Sequence, residues 1–248
     1  MNLKNTLAAI SALTLALCCV SCEKKEEVVA SLPEITEKGV SELISPAADS
    51  EEYSLGEYYF SPNGTKLYCG DDTISTDILL ALEEYFLSFQ NNDFESYKAS
   101  MFASYAERYE KYLREVYSKS EGVDSDYSLK NSFELRYNNL RDNLIDTLTY
   151  ESTEEKKFSG DYTITRIRAE QPIYNEGMTE ESMIKSFFDG YSEIFGTDYY
   201  AEISAEVDKL VPITFFVMVT AEDGTEHKLI SEANIILAEK DGKYYTFG

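Results

Sequence analysis

The sequence predicts an α+β fold in which N-terminal helices pack on an antiparallel sheet that ends in a three-stranded meander. Apolar side chains recur every three or four residues over residues 75–150, which is the spacing of a helix face. β-prone runs separated by Asp-Gly pairs fill the C-terminal part of the chain. Hydrophobic residues make up 43% of the 248 residues, enough to bury a core, which excludes a wholly disordered chain.

The first predicted element is a β-hairpin within residues 53–72. β-prone runs at 57–60 and 65–69 flank a short segment that contains Asn63-Gly64. Asn-Gly is a residue pair that favours tight turns between strands. We therefore expect two antiparallel strands here, at the beginning of a single domain that runs from residue 53 to residue 248.

Three amphipathic helices are predicted within the helical part of the domain, residues 75–150. Ser75 or Thr76 caps the first, Asp93 caps the second, and the third follows a polar break. Each helix has one apolar face, and aromatic stripes of this kind are typical of core packing rather than of a binding surface. The face residues are Ile78, Leu82, Tyr85, Phe86 and Phe89 in the first helix; Phe94, Tyr97, Met101, Tyr105, Tyr109, Tyr112 and Val116 in the second; and Leu129, Phe133, Tyr137, Leu140, Leu144 and Leu148 in the third.

A strand, two helices and the meander are predicted within residues 158–248. The strand carries a bulge between Ile164 and Ile167, because the alternation of apolar and polar residues breaks there. Gly196 ends the first of the two helices, and Asp-Gly pairs form the turns of the meander. The predicted bounds are 162–169 for the strand, 180–195 and 199–207 for the helices, and 210–221, 226–238 and 243–247 for the meander.

The order helices, strand, helix and three strands resembles the nuclear transport factor 2-like superfamily, which includes SnoaL-like and ketosteroid-isomerase-like proteins. The resembling stretch runs from Ser75 to Gly248 and includes the C-terminal sequence 240–245. The resemblance implies a curved, cone-like sheet that wraps a long helix and encloses a pocket. The helical part of this chain is longer than the superfamily requires, and the hairpin expected before the last helix is represented by one clear strand.

The N-terminal 21 residues have the features of a signal peptide. Lys4 provides the positive charge, and the apolar run 7–17 is shorter than the about 20 residues that span a bilayer. Ser21 before Cys22 resembles the lipobox of bacterial lipoproteins, although Cys19 stands where that family usually has Leu. The resemblance implies that Cys22 is lipidated and anchors the exported protein to the extracytoplasmic side of a membrane; cleavage without lipidation is the alternative.

A flexible tether is predicted from residue 22 to residue 52. This segment is rich in Glu, Lys, Ser and Ala, contains Pro33 and Pro46, and shows little periodicity. As a random coil of this length it has an end-to-end distance of about 30 Å.

The charge of the chain excludes one class of partner. With 46 acidic and 22 basic residues, the net charge is -24, so phosphate neutralisation cannot drive nucleic-acid binding. After removal of residues 1–21, only Cys22 and Cys69 remain, so neither an internal disulfide beside a lipidated Cys22 nor a cysteine-based zinc site is expected.

Few residues point to a particular chemistry. His227, the only histidine, lies at the start of a predicted strand; it is either a general base that faces a pocket or a solvated residue near a turn. Asp124–Ser128 resembles the start of a calcium loop but has Leu129 and Leu135 where Gly and Glu are required. We therefore expect no metal and no cofactor.

Two hypotheses of function follow. The first is a noncatalytic, lipid-anchored extracytoplasmic domain that binds a small ligand or a protein partner. The alternative is a cone-fold enzyme of the isomerase or dehydratase type, with His227 or a buried carboxylic acid as its base. A pocket with two or more ionisable groups of shifted pKa would favour the enzyme.

Overall fold

The structure is a computed structural model that describes residues 32–118, 125–151 and 161–248. Within these ranges the chain is α+β, with six α-helices and a curled, mixed six-stranded sheet that forms a half-barrel. Residues Pro33–Gly248 belong to one compact unit. The strands are β1 (Tyr59–Phe60), β2 (Lys66–Cys69), β3 (Tyr162–Glu170), β4 (Lys209–Ala221), β5 (Glu226–Lys240) and β6 (Lys243–Tyr245). The helices are α1 (Thr76–Gln90), α2 (Phe94–Ala99), α3 (Ala103–Ser118), α4 (Ser125–Glu151), α5 (Glu180–Phe195) and α6 (Tyr199–Glu206), preceded by a short 3-10 helix, Glu51–Leu55.

The strands lie in the sheet in the order in which they occur in the chain, from β1 to β6. The prediction of a purely antiparallel sheet is wrong, because β2 and β3 are parallel, with Leu67 opposite Ile167. A tight turn forces two neighbouring strands to run in opposite directions, whereas a long connection does not. Here the connection contains helices α1 to α4, so β3 can return in the direction of β2.

The local strand predictions are confirmed. β1 and β2 form the expected hairpin, and Gly64 adopts a φ of 84° at its turn. The register of β3 on β4 shifts between Ile164 and Arg166, where a bulge was expected. β4, β5 and β6 form the antiparallel meander, and β6 ends at Tyr245 rather than at residue 247.

The second predicted helix is interrupted, so that α2 and α3 replace one continuous element. Met101 lies at the interruption and forms a parallel bridge with Thr246. The backbone N–H of Phe102 donates to the carbonyl of Thr246 at 3.0 Å, and the N–H of Thr246 donates to the carbonyl of Ser100 at 2.9 Å. These hydrogen bonds to a distant segment compete with the i to i−4 bonds of a continuous helix.

The compact unit begins before residue 53, within the segment expected to be a tether. Val40 is 1% exposed and belongs to the hydrophobic core. Ile44 pairs with Tyr58, next to β1. Part of the segment 33–52 therefore packs against the rest of the domain. The part of the predicted tether before residue 32 lies outside the described residues.

Apolar side chains of α1 and of the sheet form the centre of the core. Leu79 and Leu82 on α1 are fully buried, as are Ile213 and Val217 on β4. Each such side chain contributes about 1.5–3 kcal/mol when it is removed from water. Helix α1 reaches the sheet through Phe86, whose ring centroid lies 5.6 Å from that of Phe215 on β4.

Candidate functional site

An apolar cavity of about 320 Å³ lies between helices α1, α4 and α5 and strands β4 and β5. Aromatic and aliphatic side chains dominate its lining. They include Tyr85 and Phe89 from α1, Leu144 from α4, Phe187 from α5, Phe215 from β4 and Ile235 from β5. Phe247 and Gly248, which follow β6, complete the wall.

The space exists partly because a small residue stands opposite a large one in the sheet. Ala233 on β5 pairs with Phe215 on β4, and both line the cavity. The register of β4 on β5 shifts directly after this pair, between Phe215 and Val217. Since a β-bulge bends its strand, the sheet changes direction beside the cavity.

The polar groups in the lining are few. Asn143 and Thr147 come from α4, and Asn234 comes from β5. The Asn234 side-chain carbonyl accepts a hydrogen bond from Thr214 Oγ1 at 2.6 Å. Tyr85 is the one titratable side chain among the described lining residues, and its burial raises the pKa of its hydroxyl group well above the ordinary value.

A second group of side chains, the tyrosine–arginine cluster, consists of Tyr97, Tyr105, Tyr109, Arg136 and Tyr191. Arg136 Nη1 donates to Tyr109 Oη at 3.0 Å, and its guanidinium carbon lies 4.8 Å from the centroid of the Tyr109 ring. Tyr105 Oη donates to Tyr191 Oη at 3.3 Å. The rings of Tyr105 and Tyr109 stack, with their centroids 5.5 Å apart. Helices α2, α3, α4 and α5 thus each place a polar group in one buried region.

Two polar atoms of the tyrosine–arginine cluster are buried without a hydrogen-bond partner in the described part of the chain. They are Tyr97 Oη and Arg136 Nε. Arg136 also makes no ion pair with an Asp or Glu of the described residues. Burial would by itself lower the pKa of the guanidinium, but the surrounding tyrosines raise it, and it stays charged.

The tyrosine–arginine cluster adjoins the cavity. The ring centroids of Tyr85, which lines the cavity, and of Tyr97 are 5.8 Å apart. A methyl group placed on the Cα of Gly248 would lie 3.2 Å from Tyr105 Oη and 3.6 Å from Tyr97 Oη. Gly248 therefore lies beside these hydroxyl groups and also lines the apolar cavity.

The structure places His227 away from this site. His227 lies opposite Val219 of β4, near the turn between β4 and β5, and it is half-buried. Since paired residues of neighbouring strands project to the same face, it shares a face with the buried Val219. It is not among the residues that line the apolar cavity.

Among the other residues considered from the sequence, those within the described ranges form no second site. Cys22 and Asp124 lie outside the described residues. Cys69 is a half-buried free thiol, and burial raises its pKa. Within the described ranges, no group of His, Cys, Asp and Glu side chains has the arrangement of a metal site.

Sequence reasoning missed Arg136, although one signal was present. Arg136 lies three residues after Phe133 and four before Leu140, which places it on the apolar face of the predicted third helix. A charged residue at such a position is seldom fully buried unless it is paired. Tyr97, Tyr105 and Tyr109 were assigned to a helix face, and their packing confirms that assignment, since all three are buried.

Comparison with known proteins does not add a family to this geometry. No family profile, curated protein or solved structure matches the chain. Among the helices of the described ranges, none is both long enough and apolar enough to cross a bilayer. The cavity and its neighbouring side chains are therefore the features that bear on function.

Proposed function

We propose that this protein is a noncatalytic binding module that holds a small apolar ligand in the cavity between α1, α4, α5 and the sheet. The observation that carries the proposal is the cavity itself, with its volume of about 320 Å³ and its aromatic lining. Ligand sites in proteins are typically concave, mostly apolar spaces of about 300–1,000 Å³ with a few polar groups.

The volume sets the size of the ligand. Liquid water occupies about 30 Å³ per molecule, so the cavity has room for on the order of ten non-hydrogen atoms. An apolar wall such as Phe89, Phe187 and Phe215 forms few favourable contacts with water. A ligand of this size therefore gains dispersion contacts and removes apolar surface from water when it binds.

The enzyme hypothesis receives less support from the same geometry. Acid–base catalysis requires a titratable group within reach of the substrate. In the described lining this group would have to be Tyr85, whose pKa is raised by burial, and His227 lies elsewhere in the sheet. The cavity is thus better suited to binding than to proton transfer.

The proposal also includes the cellular location of the protein. Lipidation of Cys22, as in bacterial lipoproteins, would keep the binding module on the extracytoplasmic side of a membrane. The cone-like pocket that the resemblance to the nuclear transport factor 2-like superfamily implies is also part of this proposal. The curled sheet and the cavity beside it are consistent with such a pocket.

Naphthalene is a suitable neutral probe, because it has about the size that the cavity admits. We expect saturable binding to the protein without residues 1–22, which contains the whole compact unit, followed by the fluorescence of naphthalene. At 100 times its Kd, such a ligand stabilises the protein by about 2.7 kcal/mol and raises Tm by about 5–10 °C.

A pair of variants tests whether the probe binds in this cavity. Ala233→Leu should fill the space opposite Phe215 and weaken naphthalene binding at least tenfold. Ala201→Leu on α6, where the side chain is exposed, should leave binding unchanged. Equal affinities for both variants, or no saturable binding by the original protein, would contradict the proposal.

A further inference from the structure

We infer that the tyrosine–arginine cluster binds the carboxylate of the ligand whose apolar body occupies the cavity. This inference rests on the proposed function and specifies the ligand class, a small amphiphile with one anionic head group. It assigns Arg136 and Tyr97 as head-group ligands. Three features of the described residues support it. Arg136 is positively charged, the donors Arg136 Nε and Tyr97 Oη lack a hydrogen-bond partner among these residues, and Gly248 lines the cavity and lies beside the cluster's hydroxyl groups.

Arg136 carries a positive charge in a half-buried position. Its Nη1 donates to the neutral hydroxyl group of Tyr109 at 3.0 Å. Phenol groups can accept hydrogen bonds from a guanidinium, but they cannot neutralise it. A charge that is removed from water without a counter-charge is costly, so this position favours an anion. The chain as a whole has a net charge of -24, and yet no Asp or Glu of the described residues forms an ion pair with Arg136.

Two donors of the tyrosine–arginine cluster remain available. Arg136 and Tyr97 are neighbours, and the guanidinium lowers the pKa of the Tyr97 hydroxyl group, but neither Arg136 Nε nor Tyr97 Oη makes a hydrogen bond of normal geometry with the described residues. Tyr97 is 0% exposed, so bulk water does not satisfy its hydroxyl group. The flat guanidinium matches the two oxygens of a carboxylate, and a nearby hydroxyl group adds a third hydrogen bond. Both unpartnered groups can therefore donate to one anion.

These donors lie close to the cavity. Tyr97 Oη and Tyr105 Oη lie beside Gly248, and Gly248 lines the cavity. Because glycine has no side chain, a ligand can approach the hydroxyl groups past this backbone more closely than past any other residue. Tyr85 contacts Tyr97 and also lines the cavity, so the apolar and polar regions are continuous.

Arg141 shows that a buried arginine on α4 does not by itself define this site. Its Nε is also buried without a partner among the described residues. However, Arg141 acts on a different pair of tyrosines: its charge lowers the pKa of Tyr137 and of Tyr162, whereas Arg136 acts on Tyr97 and Tyr105. Arg141 is therefore the matched control, because its substitution removes the same charge from the same helix at another place.

Octanoate and octanamide provide the test, because they have the same size and differ in charge. We expect the original protein to bind octanoate about 10- to 100-fold more tightly than octanamide, as one or two charge-assisted hydrogen bonds predict. Arg136→Met should abolish this preference and leave the affinity for octanamide nearly unchanged. Arg141→Met should keep the preference. Calorimetric titration of each protein with each compound measures these affinities.

Tyr97→Phe provides a second test that does not depend on how Arg136→Met folds. It removes an unpartnered buried hydroxyl group without changing the shape of the ring, so Tm should stay the same or rise. The affinity for octanoate should nevertheless fall about five- to tenfold. Tyr68→Phe removes another buried unpartnered hydroxyl group, on β2, and should not change the affinity.

The outcomes separate this inference from the proposed function. Equal affinities for octanoate and octanamide, or a preference that survives Arg136→Met, overturn the inference. If naphthalene binds and octanoate does not, the cavity is a ligand site without an anion-binding end, and only the inference fails. If none of the three compounds binds, the proposed function itself fails.

Discussion

The hydroxyl group of Tyr97 lies in a fully buried side chain, and burial raises its pKa from 10.0 to about 12. The guanidinium of Arg136 opposes this rise without cancelling it. Tyr105, the next tyrosine of the tyrosine–arginine cluster, has its pKa raised by burial as well. At neutral pH these residues are therefore neutral hydrogen-bond donors, while the arginine beside them carries the positive charge.

These shifts predict that the protein loses stability in alkali. Below pH 10 the Tyr97 hydroxyl group is protonated in both the folded and the unfolded state. As the pH rises from about 10 to about 12, it ionises in the unfolded state first, so the folded state becomes less stable by on the order of 3 kcal/mol. Urea unfolding across this range measures the change in the free energy of unfolding.

Tyr97→Phe is the control for this prediction, because phenylalanine does not ionise. Its free energy of unfolding should fall less steeply with pH than that of the original protein. The same slope in both proteins would contradict the raised pKa of Tyr97.

At the scale of secondary-structure elements, α5 shows how local signals fix the position of a site residue. Thr179 Oγ1 accepts from the backbone N–H of Ser182 at 3.1 Å, and Ser182 Oγ accepts from the N–H of Thr179 at 2.9 Å, so the helix begins with a capping box. Gly196 ends it in the left-handed conformation, with a φ of 67°. Between these ends, α5 carries Phe187 to the cavity and Tyr191 to the tyrosine–arginine cluster.

Removal of the cap should destabilise α5 without altering the site. We expect Thr179→Ala to lower the free energy of unfolding by about 1 kcal/mol, because the first turn loses a hydrogen bond to its N–H groups. Thr179→Ser keeps the side-chain oxygen and should leave the free energy of unfolding nearly unchanged. Denaturant unfolding of the three proteins measures the difference, and equal stabilities of the alanine and serine variants would show that the cap contributes nothing.

At the scale of the whole molecule, a compact acidic unit follows an N-terminal segment with the features of a lipoprotein signal. The compact unit is Pro33–Gly248, and the chain carries a net charge of -24. An anionic membrane surface repels a body of this charge, so the membrane association that we propose would depend on lipidation of Cys22. Two acyl chains are enough for stable anchoring, whereas one is marginal.

The proposed lipid anchor can be tested by replacing Cys22. We expect Cys22→Ala to move the protein from the membrane fraction to the soluble fraction, because the thioether bond to the lipid can no longer form. Cys69→Ala should leave the protein in the membrane fraction, since Cys69 is a half-buried residue of β2. Fractionation and mass measurement of the acylated peptide provide the readout, and unchanged membrane association of Cys22→Ala would contradict lipidation there.

The sequence predicted the local features of the fold well, because they depend on neighbouring residues. The hairpin around Asn63-Gly64, the bulge after Ile164 and the end of α5 at Gly196 all appear where expected. The predicted second helix was divided at Met101, because Thr246, far away in the sequence, supplies competing backbone hydrogen bonds. Local periodicity contains no information about such a partner.

The candidate site was much less predictable than the elements that form it. Tyr97 and Tyr105 were correctly assigned to buried helix faces, but a face does not specify which other helices it meets. His227 was the candidate base because it is the only histidine, and the structure places it outside the cavity.

By itself, the sequence determined most of the helices and strands, where most of them turn, and that this acidic chain has a buried core. These properties follow from spacing, turn-forming pairs and composition, which act over a few residues. Only the tertiary structure decided that β2 and β3 run parallel, that Ala233 stands opposite Phe215 at the cavity, and that Arg136 lies among tyrosines and forms no ion pair with the described residues. The physical reason is that each of these results depends on contacts between residues that are distant along the chain.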